Sequence, residues 1–254
     1  MERVQGVDVV ETNLGYKLVL LLLILLTSCS PYSNKDKKIE NLTLTLDGEH
    51  LPVRKDPMFC SNFLYKFACP LIHLKMFREN DNKITSELYS SFSYDKEKML
   101  LTFVINEGLT FSDDTKVTTS DAYAAIKRAI IDSPDFPVLR NIVGATEFAK
   151  KRKFFTDSIS GISIDNTTIK IQLDQDVPNP IYRFSARMFS VIPNSAIDAK
   201  TGEVLNIKFA ISGAYVESQV SESNVTYTLR KGFKNLPHTI TLDFPLSSIR
   251  LQKA

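Results

Sequence analysis

Leu101–Ala129 reads LTFVINEGLTFSDDTKVTTSDAYAAIKRA, and two hydrophobic periods meet within it. Leu101, Phe103 and Ile105 recur at every second position, the period of a strand with one buried face, and Gly108 ends that run. Thr118 followed three residues later by Asp121 has the form of a capping box, in which each residue satisfies a backbone N–H of the other. Beyond it Ala122, Ala125, Ile126, Ala129 and Ile130 fall on one face of a helix, which should stop near Pro134 and Pro137. The stretch therefore predicts strand, turn, capped helix. Asp113 and Asp114 lie in the turn, where adjacent carboxylates diverge toward solvent, so turn-making is favoured over acid/base work.

Working outward, Ile162 and Ile164 are joined through Asp165 and Asn166 to the alternating Ile169, Ile171 and Leu173, which predicts a hairpin. Further strands are predicted at Val225, Tyr227 and Leu229 and at Ile240, Leu242 and Phe244. Toward the N-terminus, Leu42, Leu44 and Leu46 alternate with threonines before an Asp47-Gly48 turn. Asp56–Phe77 is a mixed apolar stretch, expected to be helical at first and interrupted by Pro70. Irregularly interspersed strands and helices indicate a mixed α/β (α+β) architecture.

The 254 residues are 43% hydrophobic and 24% charged, an ordinary globular make-up rather than a disordered one. A net charge of +2 supplies no field for nucleic acid, and no phosphate-cradling glycine loop is present. Leu18–Leu26 (LVLLLLILL) follows Lys17 and is too short for a membrane span but suited to a signal-peptide core. Leu26, Thr27, Ser28 and Cys29 then resemble the lipobox of bacterial lipoproteins, with Cys29 the lipidated residue. Ser30–Lys38 reads as a polar tether. The expected organisation is a signal peptide at 1–28, lipidated cysteine and tether at 29–40, a folded domain at 41–244 and an unassigned tail at 245–254. Glu2, Asp8 and Glu11 occupy what should be a basic region, which points to a start downstream of Met1. No Asp follows Cys29, the pattern that a Gram-negative cell would send to the outer membrane.

Export would place Cys60 and Cys69 in an oxidising compartment. On one regular helix they would stand about 13 Å apart along the axis, so pairing needs a break between them. A disulfide and two free buried thiols both stay open at this level. His50, His73 and His238 are far apart, with no second ligand at metal-site spacing. Arg183 and Arg187, four residues apart, could grip a carboxylate, although a solvated face is the plainer account. The sequons at Asn41, Asn166 and Asn224 matter only in a eukaryotic secretory pathway. No catalytic constellation, cofactor motif or metal set is legible, and an enzyme is not expected.

The quoted stretch resembles the family 5 extracellular solute-binding proteins, which include oligopeptide- and dipeptide-binding proteins. Members carry a strand, a turn, an aromatic-Ser-Asp-Gly-Thr-x-Val-Thr segment and a helix with an early Asp. Phe111, Ser112, Asp113, Thr115, Val117, Thr118 and Asp121 match in order, while Asp114 stands where the family usually has Gly. Weaker matches follow collinearly: DPMF at Asp56, GISIDNTTIKIQLDQDVPNPIYRF at Gly161–Phe184, ISGAYVES at Ile211–Ser218 and VTYTLRKGFKN at Val225–Asn235.

The resemblance implies the first lobe of a two-lobed clamshell of the periplasmic-binding-protein type II kind. It further implies a peptide held largely by main-chain hydrogen bonds and handed to the permease subunits of an ABC importer. Glu49, His50 and Leu51 after the first strand, with Ser212, Gly213 and Tyr215, are the residues it places at the cleft. A bacterial envelope location, periplasmic or extracytoplasmic and lipid-anchored to a membrane, follows as well. Family members are considerably longer, and the chain stops where the crossover into the second lobe is expected. The second lobe, with its carboxylate for the peptide N-terminus, is thus expected to be missing. A lipid-anchored interaction protein that lost ligand capture, and a non-transporting fragment, are the alternatives.

Overall fold

A computed structural model describes residues 40–46, 56–59, 63–81, 83–151, 155–205, 208–221 and 223–244, all of them in one compact unit, Lys38–Ala254. In chain order the elements are β1 (Asn41–Thr45), α1 (Phe63–Ile72), β2 (Arg78–Asn80), β3 (Lys83–Thr85), β4 (Tyr89–Asp95) and β5 (Leu100–Ile105). Then come α2 (Thr119–Asp132), α3 (Ala145–Lys151), β6 (Ile162–Ile164), β7 (Thr168–Gln172), α4 (Pro180–Arg183), β8 (Tyr215–Val220), β9 (Asn224–Leu229) and β10 (Thr239–Asp243).

The two larger sheets hold four strands each. One has the order β4-β5-β7-β6 and is antiparallel throughout. The other runs β1-β10-β9-β8, with β1 parallel to β10 and the remaining pairs antiparallel. Parallel pairing of β1 with β10 joins the two ends of the described chain, setting Leu42 beside Ile240 and Leu44 beside Leu242. Two-residue alternation decides which faces are buried. Leu101, Phe103 and Ile105 point into the larger core, as do Ile169 and Ile171, whereas Val225, Tyr227, Ile240 and Leu242 build a second core under the other sheet.

The capped helix forms as its sequence dictates. Thr118 Oγ1 accepts from the Asp121 N–H at 3.4 Å, and Asp121 Oδ2 accepts from the Thr118 N–H at 2.8 Å. Ala122, Ala125, Ile126, Ala129 and Ile130 are all buried, and the helix ends at Asp132, two residues before Pro134. In the hairpin, Asp165 Oδ1 accepts from the Thr167 and Thr168 N–H groups at 2.9 and 2.7 Å, which fixes the β6–β7 turn.

Pro70 does not interrupt its helix where expected. Helix α1 continues through it to Ile72, and the His73 N–H still donates to the Cys69 carbonyl at 2.9 Å. Pro70 forfeits only its own N–H. Burial of Ala68, Cys69 and Ile72 on either side of it offsets that loss.

Among the described residues, no helix is long and apolar enough to cross a membrane, and no His/Cys/Asp/Glu cluster could hold a metal ion.

Candidate ligand-binding site

Three of the residues assigned to the cleft, Ser212, Gly213 and Tyr215, lie on the segment that enters β8, and neighbouring chain is packed tightly against it. The Gly213 N–H donates to the Ile72 carbonyl at 2.9 Å. A Cβ at this position would lie 2.3 Å from the Leu71 carbonyl oxygen and 2.7 Å from the His73 nitrogen, so only glycine lets the two backbones approach this closely. Ser212 Oγ accepts from the Leu74 N–H at 2.9 Å and donates to the Val191 carbonyl at 2.6 Å. That hydroxyl therefore clips the Leu74–Val191 bridge to the segment. Tyr215 is buried opposite Leu229, with its hydroxyl donating to the Pro237 carbonyl at 2.9 Å. All three side chains, or the lack of one, thus fix the path of the Ile211–Tyr215 backbone.

The turn in the quoted stretch docks onto this same segment. The Ser112 N–H donates to the Ile211 carbonyl at 2.9 Å, and Ser112 Oγ accepts from the Ile211 N–H at 3.0 Å. Asp113 Oδ1 closes the turn by accepting from the Thr115 hydroxyl at 2.6 Å and the Thr115 N–H at 3.1 Å. Those bonds hold the Asp113 carboxyl below its ordinary range, the Thr115 hydroxyl contributing most. Asp114 adopts φ +65°, the left-handed conformation that glycine enters without strain. Asp and Asn enter this region at a more modest cost than other non-glycine residues, so Asp114 can hold the turn.

Arg230, at the end of β9, joins the two loops, and nothing local in the sequence points to it. Its Nη1 donates to the Gly213 carbonyl at 2.8 Å and, more distantly, to those of Ile211 and Ser212 at 3.4 Å. Its Nη2 donates to the Phe111 and Thr110 carbonyls at 2.6 and 2.9 Å. Burial lowers the Arg230 pKa, while the Asp114 and Asp113 carboxylates oppose that shift. A guanidinium remains charged under any such shift and presents five donors in a rigid fork, which suits it to a convergence of carbonyls. A strand-end arginine carries no sequence signal of partners more than a hundred positions away, which is why its role was not legible.

Glu49, His50 and Leu51 lie outside the described residues, as do Cys29 and Cys60. Cys69 is buried and disulfide-bonded; the Cys60–Cys69 pairing itself stays a proposal. His73 is buried and His238 exposed, in separate parts of the fold. A cleft of about 500 Å³ opens elsewhere, between α3 and the approach to β6, lined by Gly144, Glu147, Lys151, Asp157, Ser160 and Asp174 among others. Among the described residues, none of those assigned to the ligand cleft from the sequence lines it.

No curated protein matches the sequence significantly. Solved structures do match in fold. The chain superposes on the pheromone receptor PrgZ, described for its mode of peptide binding, with TM-score 0.66 and 20% identity over 84% of this chain and 45% of that one. It superposes on the Escherichia coli murein tripeptide binding protein MppA with TM-score 0.66 and 16% identity, over 85% of this chain and 45% of that one. The Haemophilus influenzae OppA complex with RPPGFSPFR gives TM-score 0.66 and 14% identity, again over 85% and 45%. The chain thus spans about 45% of the length of these proteins. Its fold is that of one lobe of a type II periplasmic binding protein. The family model for bacterial extracellular solute-binding proteins, family 5 (middle region), matches residues 83–244. With the β4-β5-β7-β6 sheet, strands β8 to β10, the Phe111–Thr118 turn, Gly213 and Arg230 inside that span, the chain belongs to the bacterial extracellular solute-binding proteins of family 5.

Proposed function

We propose that this chain is the peptide-binding component of an ABC-type import system, contributing one lobe of a clamshell that closes on its ligand. The observation that carries the reading is the Ile211–Tyr215 segment, clamped by Arg230, Ser212 and the Gly213 contact inside a fold shared with peptide-binding proteins. A rigid backbone suits a receptor that reads extended peptides through main-chain hydrogen bonds and so tolerates many sequences. Glu49, His50 and Leu51, with the segment around Ser212, Gly213 and Tyr215, form the face that meets the peptide in this reading. The permeases of the importer are its partners.

Thermal unfolding with millimolar solutes tests the ligand class. Short peptides should raise the melting temperature, while sugars and nickel chelates, ligands of other family members, should not. A shift with a sugar or a chelate and none with peptides would replace the peptide assignment.

The proposed location is the outer side of a bacterial membrane, with Cys29 lipidated and the chain tethered there. Cys29→Ala should release the protein from the membrane fraction or mislocalise it. Unchanged membrane fractionation together with an unprocessed N-terminus would contradict the lipid anchor and favour a simple apolar one.

A further inference from the structure

Cys69, buried and disulfide-bonded, stands in the last turn of α1, where that helix meets the Ser212–Gly213 segment. Its carbonyl accepts from the His73 N–H at 2.9 Å and so closes the helix. Gly213 packs on the residues just beyond. Its N–H donates to the Ile72 carbonyl, and a Cβ there would lie 2.3 Å from the Leu71 oxygen. The Leu74 N–H then donates to Ser212 Oγ at 2.9 Å. The end of α1 is therefore the wall against which Ser212 and Gly213 are set.

That turn is weakened from within, because Pro70 has no N–H to donate back along the helix. The chain leading to Cys60, by contrast, is fixed. Asp56 Oδ2 accepts from Arg128 Nη2 at 2.5 Å in a buried ion pair with α2. The Met58 N–H donates to Asp56 Oδ1 and the Phe59 N–H to the Asp56 carbonyl, both at 3.0 Å. Cys60 follows Phe59 directly and lies outside the described residues. The chain has 3 cysteines. Cys29 is the lipidated one in the proposed location, and Cys60 belongs to the same compact unit as Cys69.

We propose that Cys69 pairs with Cys60 and that this disulfide is a redox-sensitive tie, joining the end of α1 to the Asp56–Phe59 turn and thereby holding the Ile211–Tyr215 segment in place. A dithiol of the kind that thioredoxin-like reductases carry would open it. Two electrons and two protons pass from the dithiol, which becomes a disulfide, and Cys60 and Cys69 each become a thiol. The end of α1, already short of one backbone donor, then loosens, and Ser212 and Gly213 lose their fixed wall. That reduction would also weaken ligand capture rests on the peptide reading; the mechanical link does not.

Amide hydrogen exchange of the full chain, read by mass spectrometry before and after reduction with dithiothreitol, tests the tie. Digestion without reductant should release one peptide pair joined through Cys60 and Cys69, and a Cys29–Cys69 pair would overturn the assignment. Reduction should speed exchange in Leu71–Met76 and Ile211–Tyr215 by about ten-fold while leaving β5, Leu100–Ile105, unchanged. Cys60→Ser should exchange at the fast rate with or without dithiothreitol. It keeps the buried Cys69, so it reports even if Cys69→Ser fails to fold. Equal exchange in the oxidised and reduced chains would overturn the proposal, and so would an equal rise in all three segments, which would make the disulfide a general staple. A faster Ile211–Tyr215 segment with no peptide-dependent melting shift in either redox state supports the tie and contradicts only the peptide reading.

Discussion

Arg230 Nη2 donates to the Phe111 carbonyl at 2.6 Å across 119 positions of chain. The other arm of the same guanidinium holds Gly213 at 2.8 Å. One planar side chain therefore ties the loop after β5, which belongs to the first sheet, to the segment that opens β8 in the second. The Ser112–Ile211 hydrogen bonds run alongside it, so the two loops move together or not at all.

Arg230→Leu should lower stability by about 2–4 kcal/mol, because several carbonyls lose a charged donor at once. Arg230→Lys should recover less than half of that, since an ammonium cannot span both loops as the fork does. Urea unfolding measures both, and a leucine variant with the parent's midpoint would show that the clasp contributes nothing.

Gly213→Ala would put a methyl group 2.3 Å from the Leu71 carbonyl oxygen. The obstacle is backbone rather than a flexible side-chain tip, so the segments must separate, and the 2.9 Å bond from Gly213 to Ile72 weakens with them. The expected loss is about 1–3 kcal/mol. A thermal scan suffices, and an unchanged melting temperature would mean that the contact relaxes freely.

Ile126 is fully buried on the core face of α2. Ile126→Asp replaces apolar packing with an unpaired carboxylate and should cost more than about 4 kcal/mol. Circular dichroism should show a chain largely unfolded at 25 °C; native-like spectra and cooperative melting would mean that the helix face is wrongly assigned.

Acid should loosen the signature turn. Thr115 holds the Asp113 carboxyl below its ordinary value of 3.8. A carboxyl with a lowered folded-state pKa stabilises above its unfolded value, and that contribution is lost as pH falls through the folded pKa. Asp113→Asn should therefore lower stability near neutrality, where the carboxylate's contribution is fully present, and reduce the dependence of stability on pH below about pH 4. Parallel acid-unfolding curves for the parent and the variant would contradict this.

Much of the fold was legible because its signals are local. Two-residue alternation at Leu101–Ile105, Val225–Leu229 and Ile240–Phe244 located strands, and Thr118 with Asp121 located the start of α2. Pro70 misled, since burial of Ala68, Cys69 and Ile72 around it helps hold the helix together despite the cost of an interior proline. Pairing of β1 with β10 was not readable, because nothing in either strand specifies a partner nearly two hundred residues away. The same holds for the site. Gly213 could be singled out, but the Leu71–His73 backbone that makes glycine necessary could not. Arg183 and Arg187 were noted only as a spacing.

Calorimetric titration of the compact unit Lys38–Ala254 with a mixed peptide library tests the central claim, that this chain supplies one open lobe of a peptide clamp. Affinity in a clamshell comes from closing two surfaces and excluding water. One charge-assisted hydrogen bond supplied to the peptide by an opposing lobe would contribute about 1.5–3 kcal/mol, roughly ten- to hundred-fold in affinity before enclosure is counted. The account predicts weak binding, in the millimolar range, that tightens only when a second lobe is supplied. Saturable micromolar binding of one peptide per chain by Lys38–Ala254 alone would contradict it.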